Sequence, residues 1–386
     1  MKMSSAESAS VRTSVHCLSA GGLAASVLIG IVGAWTILIT PGLLAVVAVQ
    51  GALSDQQLGY VAAWEINAMA VTIGLSTFLL PRWDWRLCVA VGLIFIIAGN
   101  VATAFSAGYA AITLTRTIAG AGEGIAVGFA FAAFGRAENP DRAFSIYLVT
   151  GALAGAIALL YLPSWQESVG TRTLFLANGA LGVLTLGGLF WFPHGRVAAD
   201  DPRATALCNR RLAFLALIGV FFYFGAISAM WSYAERIGQA SGLDAHQIAR
   251  GLSYGTFAGM GGAALAGLTP RRLGRIGPLL VSGVVSIISF RLLDGRLTPH
   301  IFIIAMVLLL FAWNYAQPLL SGVCSDADPR GRIVCAMGSI QTFGMGFGPA
   351  AVAATLGSGN FSLAVWGSCT VLGASLLLVV SAIRTS

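Results

Sequence analysis

Charge is what this chain has least of. Asp, Glu, Lys and Arg make up 10% of its 386 residues, against about 25% in ordinary soluble domains, and the hydrophobic set reaches 57%. No water-soluble core could hide that much apolar surface. Lysine occurs once, at Lys2. A P-loop lysine on a nucleotide phosphate and a Schiff-base lysine inside a membrane are therefore both excluded, and ATP-driven pumping would need another subunit. The histidines, His16, His194, His246 and His300, fall in loops or at helix ends on both sides of the expected membrane, and no spacing among them makes a metal site or a triad. Six cysteines, Cys17, Cys88, Cys208, Cys324, Cys335 and Cys369, show neither metal-ligand spacing nor a disulfide framework. The run Gly120 to Gly124 follows no strand and is no dinucleotide fingerprint. No cofactor or metal is expected. Without a polar catalytic cluster, an enzyme is not expected either.

What the chain has is apolar length. A helix rises about 1.5 Å per residue, so about 30 Å of hydrocarbon takes roughly 20 apolar residues. Twelve such spans are expected, near 20–49, 57–80, 87–105, 109–134, 143–162, 173–191, 212–233, 247–268, 278–293, 300–320, 333–356 and 361–383. Stretches such as 87–105 and 301–313 do not alternate in polarity, which excludes a β-barrel. With the amino terminus inside, the inner segments hold Lys2, Arg12, Arg82, Arg86, Arg136, Arg142, Arg196, Arg203, Arg210, Arg211, Arg271, Arg272, Arg275, Arg330, Arg332 and Arg384. The outer loops and adjoining helix ends hold Arg172, Arg236, Arg250, Arg291 and Arg296. This bias puts both termini in the cytoplasm. It also makes the net charge of +7 a topology signal rather than a sign of a nucleic-acid partner. The first span is too long for a signal-peptide core and reads as an uncleaved helix.

Landmarks recur 189 positions apart: Asp55 with Asp244, Pro81, Arg82 and Arg86 with Pro270, Arg271 and Arg275, and Pro140 with Pro329. Six spans per half return the chain to its starting side, so the repeat is parallel. The expected plan is a cytoplasmic segment 1–19, a six-helix bundle 20–192, a cytoplasmic linker 193–210 and a second bundle 211–386.

Between spans 8 and 9, Gly267, Arg272, Gly274 and Arg275 resemble the signature loop of the major facilitator superfamily, with Arg86 at the equivalent place in the first half. Arg82 and Arg271 stand where that motif usually has an acid, which leaves its gating ion pair without a partner. In span 4, Arg116, Gly120 and Gly122 resemble the Arg-x-x-x-Gly-x-Gly motif associated with proton-coupled members. The Gly-rich run ending in Gly-Pro of antiporters is partial in span 5, at Gly151 and Gly155, and fuller in span 11, at Gly344, Gly346, Gly348 and Pro349. The resemblance covers nearly the whole chain. It implies an all-α membrane fold of two six-helix bundles that rock about a midplane cavity, lined by spans 1, 4, 7 and 10.

An ionisable group near the bilayer centre costs roughly 2.5 to 3.5 kcal/mol on insertion scales, so each needs a partner or a purpose. Glu65 in span 2 and Arg116 in span 4 lie at similar depth. They form either a buried ion pair that fixes two helices or a proton-responsive pair. Glu123, seven residues beyond Arg116, shares its face but sits about 10 Å further along the axis, out of direct reach. It is the leading candidate proton carrier, the alternative being a neutral acid hydrogen-bonded to a carbonyl. Arg291 and Asp294 can pair locally, and Glu235 and Arg236 are expected in a solvated outer loop, with an outer gate as the alternative.

The substrate candidates are Trp35, Thr36, Arg116, Tyr223, Trp313, Asn314 and Gln317. Large rings with few charges suit a partly apolar ligand rather than a multiply charged anion. The expected function is proton-coupled efflux of a small, partly hydrophobic compound by a monomeric carrier in a bacterial inner membrane. Proton-linked uptake of a neutral or monoanionic metabolite and a transport-inactive receptor are the alternatives.

Overall fold

The computed structural model describes residues 18–194, 209–268, 274–327, 332–356 and 361–384, and all regular structure among them is helical. Most of the amino-terminal segment and of the linker lies outside the described residues, as do Pro270, Arg271, Arg272 and Pro329.

Ser19 caps the first helix by accepting a hydrogen bond from the Gly22 N–H at 3.0 Å. Helix α1 (Ala20–Gly33) ends at Ala34, whose φ of −97° and ψ of 4° leave the helical region. Helix α2 (Trp35–Gly51) resumes at once and breaks again at Ile39 (φ −120°, ψ 18°), because Pro41 has no N–H to donate and its ring crowds the carbonyl one turn back. The first expected span is thus jointed. Helix α3 (Asp55–Leu79) opens with a reciprocal cap between Ser54 and Gln57, and α8 (Ala245–Leu268) is preceded by the same device in Asp244 and Gln247. Cap and helix start both fall one position later in the second half than the 189-residue offset puts them. Asp55 is the first residue of its helix, whereas its repeat partner Asp244 has become the cap.

Helices α4 (Trp85–Phe105) and α5 (Tyr109–Phe134) follow. The fifth and sixth expected spans form one helical run, α6 (Pro140–Gly188), broken only at Gly170 (φ 78°, ψ 165°), a conformation that glycine adopts without steric cost. Helix α7 (Arg210–Ala240) overruns its expected end at 233. The solvated loop expected to hold Glu235 and Arg236 is helical instead, and Glu235 is buried. The charges pair with protein groups there: Arg236 Nε lies 3.0 Å from Glu235 Oε2 and 3.6 Å from Asp55 Oδ1. Helices α9 (Ile276–Leu292), α10 (Pro299–Ala327), α11 (Arg332–Thr355) and α12 (Ser362–Arg384) complete the order.

Eight runs among the described residues are long and apolar enough to cross a membrane: Ala20–Gly51, Asp55–Leu79, Trp85–Phe105, Tyr109–Phe134, Arg142–Gly188, Arg210–Ala240, Pro299–Ala327 and Ser362–Arg384. Large apolar side chains such as Leu114, Leu184, Val281 and Leu377 face outward, as a lipid-facing surface requires.

In the first half α5 packs against α1, α3 and α4, while α6 lies on α1, α2 and α4. In the second half α7 packs on α11 and α12, and α10 on α8 and α9. The halves meet where α3 lies on α11, α6 on α8 and α2 on α7. A Cβ at Gly344 or Gly348 would overlap the carbonyl oxygen of Phe221 or Gly225 on α7. Those glycines seat α11 and α7 backbone to backbone, which is how helices gain dispersion contact in lipid. Gly348→Ala should lower stability by about 1 to 3 kcal/mol, the usual range for overpacking. Gly373→Ala, whose added Cβ meets nothing nearby, should leave the thermal midpoint of the detergent-purified protein unchanged.

Candidate functional site

A Cβ at Gly120 would overlap the Glu65 carbonyl oxygen of α3, and one at Gly122 the Gly92 carbonyl oxygen of α4. The two glycines of the Arg-x-x-x-Gly-x-Gly run therefore draw α3 and α4 onto α5 from two sides. Arg116, one turn earlier, reaches into the space between them and is 1% exposed. Its Nε donates to Glu65 Oε2 at 3.1 Å, and its Nη2 donates to Glu65 Oε1 and, at 3.1 Å, to Thr36 Oγ1. Its Nη1 donates to Asn100 Oδ1 at 3.0 Å, and Asn100 is fixed in turn by donating to the Ile96 carbonyl at 2.9 Å. The guanidinium is thus saturated by protein on most of its rim, as a buried cation must be.

Glu123 joins the same group. The axial gap expected to keep it from Arg116 is closed by the length of the arginine side chain, with Nη2 lying 4.0 Å from Glu123 Oε1. Thr36 Oγ1 lies 2.7 Å from that same oxygen and 2.9 Å from Glu65 Oε1. Glu123 Oε2 has no hydrogen-bond partner. Glu123 borders a cavity of about 10 Å³ lined by Val32, Trp35, Thr36, Asn100, Asn178 and neighbouring side chains, room for about one water molecule. The indole N–H of Trp35 on the same wall is also unpartnered. Two carboxylates and one guanidinium leave a formal charge of −1 when all three are ionised.

A second group lies where the halves meet. Pro41 cannot donate to the Ile37 carbonyl, and Trp231 of α7 takes that oxygen through its Nε1 at 3.2 Å. Trp231 meets Trp313 edge to face at 6.5 Å between centroids, and Phe224 meets Trp313 at 6.4 Å. Trp35 packs against the large apolar core that includes these rings and also lines the Glu123 cavity. Nearby, Tyr233 donates from its hydroxyl to the Asp55 carbonyl at 2.9 Å.

The structure brings together Glu65, Arg116, Glu123, Thr36 and Trp35, while Trp313 lies against Trp231 and Phe224 of α7. Tyr223 is turned elsewhere, with its hydroxyl 3.5 Å from Ser282 Oγ of α9. Asn314 donates to Leu310 and lies against Gly259 of α8. Gln317 is partly buried. Asn100 and Asn178 were not singled out from the sequence, although an amide inside an apolar helix carries its own insertion cost and is a usable signal.

The loop motif finds its acid on another helix. Arg275, following Gly274 (φ +63°), pairs with Asp326 at the end of α10, so the missing acid within the motif does not leave this arginine unpaired. In the first half Arg86 donates instead to the Phe192 and Phe190 carbonyls at 2.7 and 2.9 Å, and Arg82 caps Phe78. Gly267 is exposed with nothing near it.

A sequence profile of the Major Facilitator Superfamily matches residues 23–353. The chain belongs to that superfamily. Among solved structures, this superfamily member is similar to a D-xylose-proton symporter (TM-score 0.75, 14% identity, covering 93% of this chain and 96% of that one). It is also similar to a point mutant of the nucleoside transporter NupG (TM-score 0.71, 14% identity, 94% and 99% covered). Identities this low show the fold alone. Among curated proteins no match reaches significance. The fold is that of a multi-pass membrane transporter rather than an enzyme.

Removing one member of the buried pair should expose its worth. Glu65→Leu leaves Arg116 without its counter-ion and should cost about 3 to 5 kcal/mol. The double variant Glu65→Leu with Arg116→Leu should recover most of that loss, as read from the thermal midpoint of each purified protein.

Proposed function

We propose that the chain is a secondary active transporter that exports a small, partly hydrophobic organic molecule in exchange for protons by alternating access. The observation that carries this reading is the second carboxylate of the buried cluster. Glu65 suffices to balance Arg116, so the charge of Glu123 has no structural use, yet placing it there costs roughly 2.5 to 3.5 kcal/mol. A group kept at that expense, beside a small cavity and with one oxygen unpartnered, is suited to taking up and releasing a proton. In this reading the chain makes twelve crossings as bundles 20–192 and 211–386, with 193–210 and both termini in the cytoplasm of a bacterial inner membrane. The rings of Trp35, Trp231 and Trp313 favour a ligand with an apolar body and few charges. The Gly344 to Pro349 run, similar to the antiporter signature, supports export.

Proton-linked uptake is the second reading, favoured by the name of one similar structure, a D-xylose-proton symporter. Arg116 is poorly placed to bind a substrate carboxylate in that version, because Glu65, Asn100 and Thr36 already take its donors.

Proteoliposomes with an imposed inward proton gradient separate the readings: substrate leaves under export and accumulates under uptake. Glu123→Gln should reduce the gradient-driven flux to the level of protein-free liposomes while substrate exchange without a gradient persists. Gradient-driven transport at the wild-type rate in Glu123→Gln would remove Glu123 from the mechanism.

A further inference from the structure

Thr36 stands at the one point where both carboxylates and the guanidinium converge. Its Oγ1 lies 2.7 Å from Glu123 Oε1, 2.9 Å from Glu65 Oε1 and 3.1 Å from Arg116 Nη2. A hydroxyl has one hydrogen to donate and two lone pairs to accept with. Arg116 can only donate, so it occupies one lone pair. The single hydroxyl hydrogen can satisfy one carboxylate. The remaining contact must then be a hydrogen bond that Thr36 accepts, and a carboxyl group donates only when it carries a proton. Glu65 already receives two hydrogen bonds from Arg116, whereas Glu123 Oε2 has no partner and Oε1 stands 4.0 Å from the guanidinium. The proton therefore belongs on Glu123 Oε1, with Thr36 passing its own hydrogen to Glu65.

We infer that this arrangement holds one proton per cycle and that Thr36 is the positioning residue that reports its presence to the rest of the protein. The inference rests on the proton-coupled reading above. Release requires the Glu123 carboxyl to turn its O–H from Thr36 to the cavity. The O–H bond then breaks, its electron pair stays on the carboxylate, the proton passes to a water there to give hydronium, and Thr36 keeps its own hydrogen. The hydroxyl then turns to the newly charged Glu123, Glu65 loses a donor, and Arg116 is drawn toward Glu123. Thr36 sits in the first turn of α2, between the breaks at Ala34 and Ile39. The neighbouring Ile37 carbonyl is held by Trp231 of the other half, so a hydroxyl turning inside the first half pulls on a short segment anchored to the second. The titratable and charged groups facing Thr36 are Glu65 from α3 and Arg116 and Glu123 from α5. The other packed helices line this cavity with Val32 of α1, Asn100 of α4 and Asn178 of α6, all neutral.

The test needs no substrate for its first arm. Infrared difference spectra of the purified protein between high and low pH should contain one carboxylic-acid carbonyl band that disappears in Glu123→Gln. In Thr36→Val, which removes the acceptor without changing the shape, that band should shift in frequency, and in Thr36→Ser it should stay in place. In proteoliposomes, Thr36→Val should lose gradient-driven transport while keeping exchange, and Thr36→Ser should keep both. A band unmoved in Thr36→Val, or a band removed by Glu65→Gln rather than Glu123→Gln, overturns the inference and leaves proton coupling standing. Wild-type transport that ignores the proton gradient overturns both.

Discussion

A guanidinium survives inside this bundle only because two helices come close enough to surround it. Gly120 and Gly122 remove the side chains that would hold α3 and α4 away from α5. The ion pair, the amide of Asn100 and the hydroxyl of Thr36 all follow from that approach. Desolvating charge is repaid only when geometry is close and the remaining donors are satisfied. The Arg-x-x-x-Gly-x-Gly motif is a single physical device: the glycines set the distance and the arginine uses it.

The second half carries no counterpart of this cluster, and Leu309 and Phe311 stand where the offset puts the two glycines. At the same 189-residue offset, Glu65, Asn100, Arg116 and Glu123 correspond to Tyr254, Ser289, Ala305 and Ala312. Ser289 still reaches the counterpart of the arginine, donating to the Ala305 carbonyl at 2.7 Å. Rings take the place of the charge cluster: Phe224 and Trp231 pack against Trp313, and Trp231 reaches across to the Ile37 carbonyl of the first half. The two halves share a backbone plan while their buried chemistry differs.

Hydropathy made most helices legible, and α5 and α12 lie within a residue of where apolar length alone puts them. It failed where local chemistry overrides average polarity. Glu235 and Arg236 read as solvated because their partner Asp55 is far away in sequence, and only the folded chain brings the three together. The breaks at Ala34, Ile39 and Gly170 leave little trace in a hydropathy average, although Pro41 and Gly170 mark two of them. At the site, equal depth across two helices paired Glu65 with Arg116, because membrane depth converts residue number into height. The lateral position of Thr36 had no such ruler. Its place beside both carboxylates depends on how α2 is jointed, which no spacing encodes.

The cavity beside Glu123 is walled by helices of the first half alone, whereas the tryptophan core lies between the halves. Trp35 lines that cavity and packs against the apolar core as well. A smaller side chain there would widen a space that holds about one water molecule, and water reaching the guanidinium and both carboxylates would screen the attraction that holds α3 against α5. The dryness of the buried pair is in this sense a property of one ring's fit.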